Sequence, residues 1–294
     1  MNNDAESLTL ALGGEWYRRY GVAPCPVCQP ERRQGQDALT LSDGNGKLLA
    51  HCKRLGCAFS EITTAAGLSP GAFARPDPFA IAQREAERRA EAIKRADQAK
   101  WLWQEAQAIG GTVAEAYLRG RGISCALPPT LRFHPSCWHG ATARRCPALV
   151  ALVEGGSDFA VHRTYLRPDG SGKADIDPAK AMLGATAGGA VRLAQAQGPL
   201  VVAEGIETAL SLASGLLRGP ATVWAALSTS GLRGLILPST QARLTIAPDG
   251  DEPGRNAASA LAERAQALGW AVSLLAAPDG RDWNDVLRGK AVAE

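Results

Sequence analysis

Three apolar runs in the C-terminal third each break off into acids. Leu200–Ala203 leads into Glu204-Gly205-Ile206-Glu207-Thr208, Leu244–Ala247 into Pro248-Asp249-Gly250-Asp251, and a later run into Asp279-Gly280-Arg281-Asp282-Trp283-Asn284-Asp285. Carboxylates brought to one edge repel each other unless a cation neutralises them, and hard oxygen donors with open positions suit magnesium or manganese. Phosphate is then the natural remaining ligand. Such a metal polarises a phosphoryl oxygen, with Asp249 and Asp251 as the central ligands and Glu204 placed to complete the shell or assist proton transfer. Taken singly, Asp-Gly-Asp is an ordinary solvent turn, and Glu204 and Glu207 are acids suited to a helix start. Three acidic strand ends in series point to a site.

The second constellation is made of thiols. Cys25-x2-Cys28 and Cys52-x4-Cys57 are two close pairs with 23 residues between them. Paired knuckles of this kind build a tetrahedral four-thiolate site that suits structural zinc and holds together a block too small for much of a core. An iron–sulfur centre would use the same thiolates, and the two-and-two ribbon arrangement favours zinc. His51 adjoins Cys52, but neighbours on a strand face opposite ways, which places His51 outside the shell. Cys125, Cys137 and Cys146 read as core or surface thiols, even with His139 lying between the last two.

Regular elements must position these groups. Residues 1–68 read as a zinc-binding β-ribbon, opened by Trp16-Tyr17-Arg18-Arg19-Tyr20 and folded at Asp43-Gly44-Asn45-Gly46, a strong hairpin signal. Ser69 to Pro78 reads as a linker. Residues 79–109, free of Pro and Gly, predict a long helix packing through Ala99, Trp101, Leu102 and Trp103; linker and helix together occupy 69–110. Residues 111–198 read as a mixed α+β subdomain, with a short helix at 113–118 and strands at 147–153 and 158–166. In 199–294, strands at 200–203, 222–226, 244–247 and 271–275 alternate with helices at 206–217, 231–237, 255–268 and 283–288. That alternation marks an α/β domain with a mostly parallel sheet, whose ligands gather at the carboxyl ends of the strands.

Composition sets the outer limits. A chain of 294 residues, 46% hydrophobic and 21% charged, has enough apolar content for a globular core. No apolar run approaches the roughly 18 residues of a membrane helix, and MNNDAESLTL lacks the features of a secretory leader, so a cytoplasmic protein with no membrane partner is expected. A net charge of +3, from 32 basic and 29 acidic residues, leaves room for local basic surfaces facing phosphate.

Glu204-Gly205 after one strand and Asp249-Gly250-Asp251-x-x-Gly254 after another resemble the toprim domain of bacterial-type primases, topoisomerases and some nucleases. With a four-cysteine ribbon ahead of it, the pattern resembles zinc-ribbon toprim DNA primases, particularly phage and mobile-element forms carrying Glu-Gly-x-Glu-Thr, here Glu204 to Thr208. The resemblance implies synthesis of short RNA primers on a single-stranded DNA template from ribonucleoside triphosphates, with zinc structural, magnesium or manganese catalytic, and a separate replicative helicase as partner. It also implies that 111–198 is the basic half of a primase core. Arg119 and Arg121 in AYLRGRGI, Lys180 and Arg192 in KAMLGATAGGAVRL, and Arg163 would then face template or triphosphate, with Glu207 and Asp282 supplementing the acids.

Three departures accompany the resemblance. Thr208 stands where a further acid often follows Glu207, Asn284 takes the place of the second acid in the last motif, and the chain ends soon after Asp285, with no attached helicase domain expected. A toprim nuclease and a non-catalytic, zinc-dependent binder of single strands are the competing readings.

Overall fold

The structure, a computed structural model, describes residues 4–17, 19–33, 35–44, 47–68 and 78–291. The chain divides into two compact units, residues 1–89 and 90–294.

The first unit begins with helix α1 (Ala5–Ala11), whose first turn is capped by Asp4 accepting a hydrogen bond from the Ser7 amide at 2.7 Å. Strands β1 (Glu15–Tyr17), β2 (Tyr20–Ala23), β3 (Leu39–Gly44) and β4 (Lys47–Cys52) form an antiparallel sheet in that order. Alternation along β3 turns Leu39 and Leu41 inward against Leu8, Leu12 and Ile62, the last from α2 (Phe59–Ala65). Of the expected hairpin turn, Asn45 and Gly46 lie outside the described residues, while Gly44 pairs with Lys47 across its base. The linker expected at Ser69 to Pro78 lies outside them too, except for Pro78, which opens helix α3 (Pro78–Glu105).

In the second unit, β5 (Gln107–Ala108), β6 (Leu131–His139), β7 (Arg144–Val153), β8 (Ala160–Tyr165) and β9 (Lys180–Gly184) make one antiparallel sheet in sequential order, with α4 (Val113–Gly120) packed against it. Ala99 at the end of α3 is buried against this sheet and Leu102 and Trp103 are partly covered, but Trp101, expected to pack with them, is 67% exposed. Strand β6 has no clean alternation in sequence because Pro135 interrupts it, and its ladder shifts register between His134 and Cys137. The KAMLGATAGGAVRL segment, expected as a basic stretch, folds as β9, a glycine-rich turn and β10 (Val191–Ala194).

Strand β10 edges a second sheet of this unit, of order β10-β12-β11-β13-β14, built with β11 (Leu200–Ala203), β12 (Thr222–Ala225), β13 (Arg243–Ala247) and β14 (Ala271–Leu274). β10 runs antiparallel; the other four are mutually parallel. Helices α5 (Ile206–Ser211, continued by a π-type turn through Leu216), α6 (Thr229–Gly234), α7 (Glu252–Ala267) and α8 (Trp283–Ala291) connect and cover the strands. The β11 run Leu200-Val201-Val202-Ala203 is buried on both sides, as a central parallel strand requires. One face joins the core that also holds Tyr117 of α4 and Leu131 and Leu149 of the β5–β9 sheet, and the other packs on Leu232, Ala258 and Leu261. The fold is thus the expected mixed α/β one: a four-cysteine ribbon, a central α+β region and a mostly parallel C-terminal sheet. No helix among the described residues is long and apolar enough to cross a membrane.

Candidate functional site

The acids gather where the parallel strands end. Glu204 follows β11 directly, Asp249 and Asp251 follow β13, and Asp282 precedes α8. The turn holding Asp249 lies against the turn that delivers Asp282: the Gly250 amide donates to the Arg281 carbonyl at 2.8 Å and the Gly280 amide to the Gly250 carbonyl at 2.9 Å. Gly250 is required there, because a Cβ would run into the carbonyl oxygen of Pro278. Asp251 caps α7, its Oδ1 accepting from the Gly254 amide at 2.7 Å.

This crowding shifts proton affinities. Burial pushes the Glu204 carboxyl up to about 7, aided by the charges of Asp249 and Asp251. Asp249 rises to about 6 through burial and the charge of Asp282, while the Thr208 hydroxyl, donating to its Oδ1 at 3.2 Å, pulls the other way. Buried acids that lie near one another and hold protons close to neutrality are suited to a divalent cation as counter-charge. These carboxylates do not converge as tightly as the thiols: among the described residues, the group of three or more potential metal ligands is the four cysteines, whose donor atoms all lie within 4.8 Å of one another. The acids are hard oxygen donors of the kind magnesium and manganese take.

Glu207, expected to supplement the acids, is turned away from solvent. It points into the protein with 4% of its surface exposed. Tyr117 donates its hydroxyl to Oε1 at 2.8 Å, Lys180 donates to Oε2 at 3.0 Å, and the Lys173 ammonium lies 3.7 Å from Oε1. Burial alone would raise this carboxyl, but Lys180 and Lys173 outweigh it and hold Glu207 well below the usual carboxylate range. Glu207 is therefore an anchor for two ammonium groups. Lys180 also opposes the upward shifts of Glu204 and Asp249, which places its charge beside the acid rim. Buried His162 on β8 is pushed down to about 4 by burial and by Lys180, and stays neutral next to the pair.

The other basic candidates separate. Arg121 lies 5.8 Å over the Tyr117 ring, at the margin of the lysine pair. Arg119 spends its guanidinium on the carbonyls of Ile123 (2.9 Å) and Cys125 (2.8 Å) and on Glu115 (3.1 Å), bracing the loop after α4. Arg163 reaches the carbonyls of Trp138 and Met182 within the first sheet. Arg192 sits on the edge strand β10 over Trp224, with Glu154 at 3.8 Å. Asn284, in the position of a second acid, is fully buried and donates to the Arg121 carbonyl and the Ser211 hydroxyl, both at 2.9 Å, so it ties α8 to α5 instead of facing the rim. Sequence reasoning passed over Lys173 and Tyr117. Tyr117 lies inside AYLRGRGI, and Lys173 precedes Lys180 across a turn; neither carries a local signal of its partnership with Glu207.

In the ribbon, the Sγ atoms of Cys25, Cys28, Cys52 and Cys57 lie within 4.8 Å of one another, with Cys28 and Cys52 3.6 Å apart; exposed His51 is outside the group, as strand alternation requires. Burial raises the Cys52 thiol, but the amides of Leu55, Cys57 and Arg54 turn toward its sulfur and bring it down to about 6. A knuckle whose amides stabilise a thiolate, in a group of four sulfurs, fits zinc.

Residues 199–292 match the family model described as a toprim domain. Residues 93–193 match a domain of unknown function. No curated protein matches the sequence. Among solved structures, the chain is similar to a DNA primase domain from Pseudomonas aeruginosa (18% identity, TM-score 0.40, covering 68% of this chain and 74% of that one). It is also similar to the zinc-binding and RNA polymerase domains of the Aquifex aeolicus primase (14%, 0.41, 97% and 79%). A third similar structure is the RNA polymerase domain of the Mycobacterium tuberculosis primase DnaG (18%, 0.36, 68% and 82%). The chain thus sets a four-cysteine ribbon ahead of a toprim domain.

Proposed function

We propose that this protein is a DNA primase, joining ribonucleotides on single-stranded DNA by metal-dependent nucleotidyl transfer. The observation that carries the reading is the pairing of the acid rim with two lysines clamped by one buried carboxylate. A nuclease needs the acids, whereas a polymerase must in addition hold the triphosphate of each incoming nucleotide, and Lys180 and Lys173 are cations suited to it.

Asp249 and Asp251, with Glu204, are the residues that would hold the metal. A bound divalent cation supplies polarisation of the phosphoryl oxygens and neutralisation of charge on the leaving group. Lys180 and Lys173 bind the triphosphate, oriented by Glu207 and Tyr117. The 3'-hydroxyl of the growing primer attacks the α-phosphorus; the new P–O bond forms as the bond to pyrophosphate breaks. The hydroxyl proton leaves to solvent, Glu204 being taken up in the metal shell.

The test is incorporation of labelled ribonucleotides on single-stranded templates with magnesium or manganese. Short products that vanish in Asp249→Ala are expected. Strand cleavage without nucleotides would instead identify a nuclease, and single-strand binding indifferent to metal and to Asp249→Ala, with no product, would identify a binding protein.

A further inference from the structure

Away from the acid rim, the exposed edge of β10 borders a cleft of about 390 Å³, within the size range of small-molecule sites. Its composition is specific. Trp224 of β12 and Arg192 of β10 are cross-strand partners, and the guanidinium carbon lies 5.1 Å from the indole centroid, so a cation–π pair lines one wall. Glu154, just past β7, lies beside them, and Pro128 and Pro129 supply a rigid apolar side. The Arg192–Glu154 separation of 3.8 Å is beyond hydrogen-bond length, and their side chains are 49% and 33% exposed, so both retain capacity for a ligand. The ladder between β10 and β12 slips immediately after Arg192. Irregularities of this kind re-aim side chains and recur beside binding sites.

We infer that this cleft is a binding site for a guanine base, carried by a mononucleotide or by a single strand. A planar ring stacks on the guanidinium–indole wall, as bases do on Arg and aromatic surfaces. With Arg192 used for stacking, the edge of the base is left to Glu154. Its carboxylate accepts from two adjacent donors, N1–H and the exocyclic amine of guanine. Adenine has an unprotonated N1, so it offers the carboxylate no such pair. Glu154 also repels a phosphate group placed directly against it, so the cleft reads a base and leaves the phosphate in solvent. Arg192 is thereby assigned to a site of its own instead of the catalytic rim. The inference goes beyond the polymerase reading and does not depend on it.

The experiment is equilibrium binding to the full-length protein in EDTA, which removes divalent metal from the acid rim. The probes are the four nucleoside monophosphates and two oligonucleotides, one with a central dG in a dT context and one all-dT. Tighter binding of GMP than of the other three is expected, weakened about tenfold or more in Glu154→Gln. Melting temperature shows that this surface substitution leaves the fold intact. Preference for GMP alone identifies a free nucleotide as ligand, and preference also for the dG oligonucleotide identifies a strand. Equal binding of all four, preference for CMP, no binding, or an unchanged Glu154→Gln would overturn the inference. Asp249→Ala separates the two proposals: it is expected to abolish primer synthesis while retaining GMP binding, and loss of GMP binding there would place the nucleotide at the acid rim and defeat the inference.

Discussion

Lys180 holds its Nζ 3.0 Å from Oε2 of Glu207, a carboxylate that is almost wholly enclosed, while the same ammonium lowers the proton affinities of Glu204 and Asp249. One buried anion therefore fixes a cation that faces the acid rim. Glu207→Gln is expected to cost about 2 kcal/mol of stability. That is below the roughly 3–5 kcal/mol for breaking a fully buried pair, because Lys180 and Lys173 keep more than a third of their side-chain surface in water. Denaturant unfolding measures it. The folded carboxyl lies below its ordinary value of 4.5, so its contribution is present above that pH and declines as pH falls below it. The gap between wild type and variant should narrow in acid; a gap constant down to pH 3 would mean that Glu207 is not held ionised by the lysines.

The acid rim has the opposite sign. Glu204 and Asp249 bind protons up to about pH 7 and 6, whereas their ordinary values are 4.5 and 3.8. Between roughly pH 4 and 7 the folded chain holds more protons than the unfolded one, so this pair makes metal-free protein lose stability as pH rises. Magnesium, competing with those protons, should raise the melting temperature more at pH 8 than at pH 6. Melting scans with magnesium and with EDTA decide it. A magnesium effect independent of pH would count against these carboxylates as ligands.

Gly250→Ala tests how Asp282 is brought to Asp249. The added methyl meets the Pro278 carbonyl, which must move away. A cost of about 1–3 kcal/mol is expected, as for other overpacked sites, with primer synthesis falling further than stability because the two acidic turns separate. Full synthesis in a folded Gly250→Ala would show that the contact between turns is dispensable.

In the ribbon, Cys25→Ser removes one of four converging sulfurs. Elemental analysis should show zinc lost from the variant, and limited proteolysis should show cleavage within residues 1–68, because binding free energy and folding free energy are shared in small zinc units. The second compact unit should keep its protection. Unaltered zinc content would remove Cys25 from the ligand set.

Local pattern carried much of this protein. The thiol pairs announce their cluster because each pair occupies one turn, and the placing of the acids was legible because a buried parallel strand such as Leu200–Ala203 has an unmistakable composition and Glu204 follows at its end. Strand β6 was hidden because Pro135 erases its alternation, and β10 because its apolar content is too short to read.

Side-chain partnership across long stretches of chain was decided by the tertiary structure alone. Tyr117 and Glu207 are 90 residues apart, and nothing near either one says that α4 and α5 will bring them together. The same docking sorted the basic residues: Lys180 to the rim, Arg119 to its own loop, Arg192 to the far edge of the sheet. It also turned Asn284 inward, where its amide bonds the Ser211 hydroxyl. Sequence determines which residues stand at strand ends because that depends on neighbours along the chain. Which charge meets which depends on how the two sheets share a core, and that packing is set by the whole chain at once.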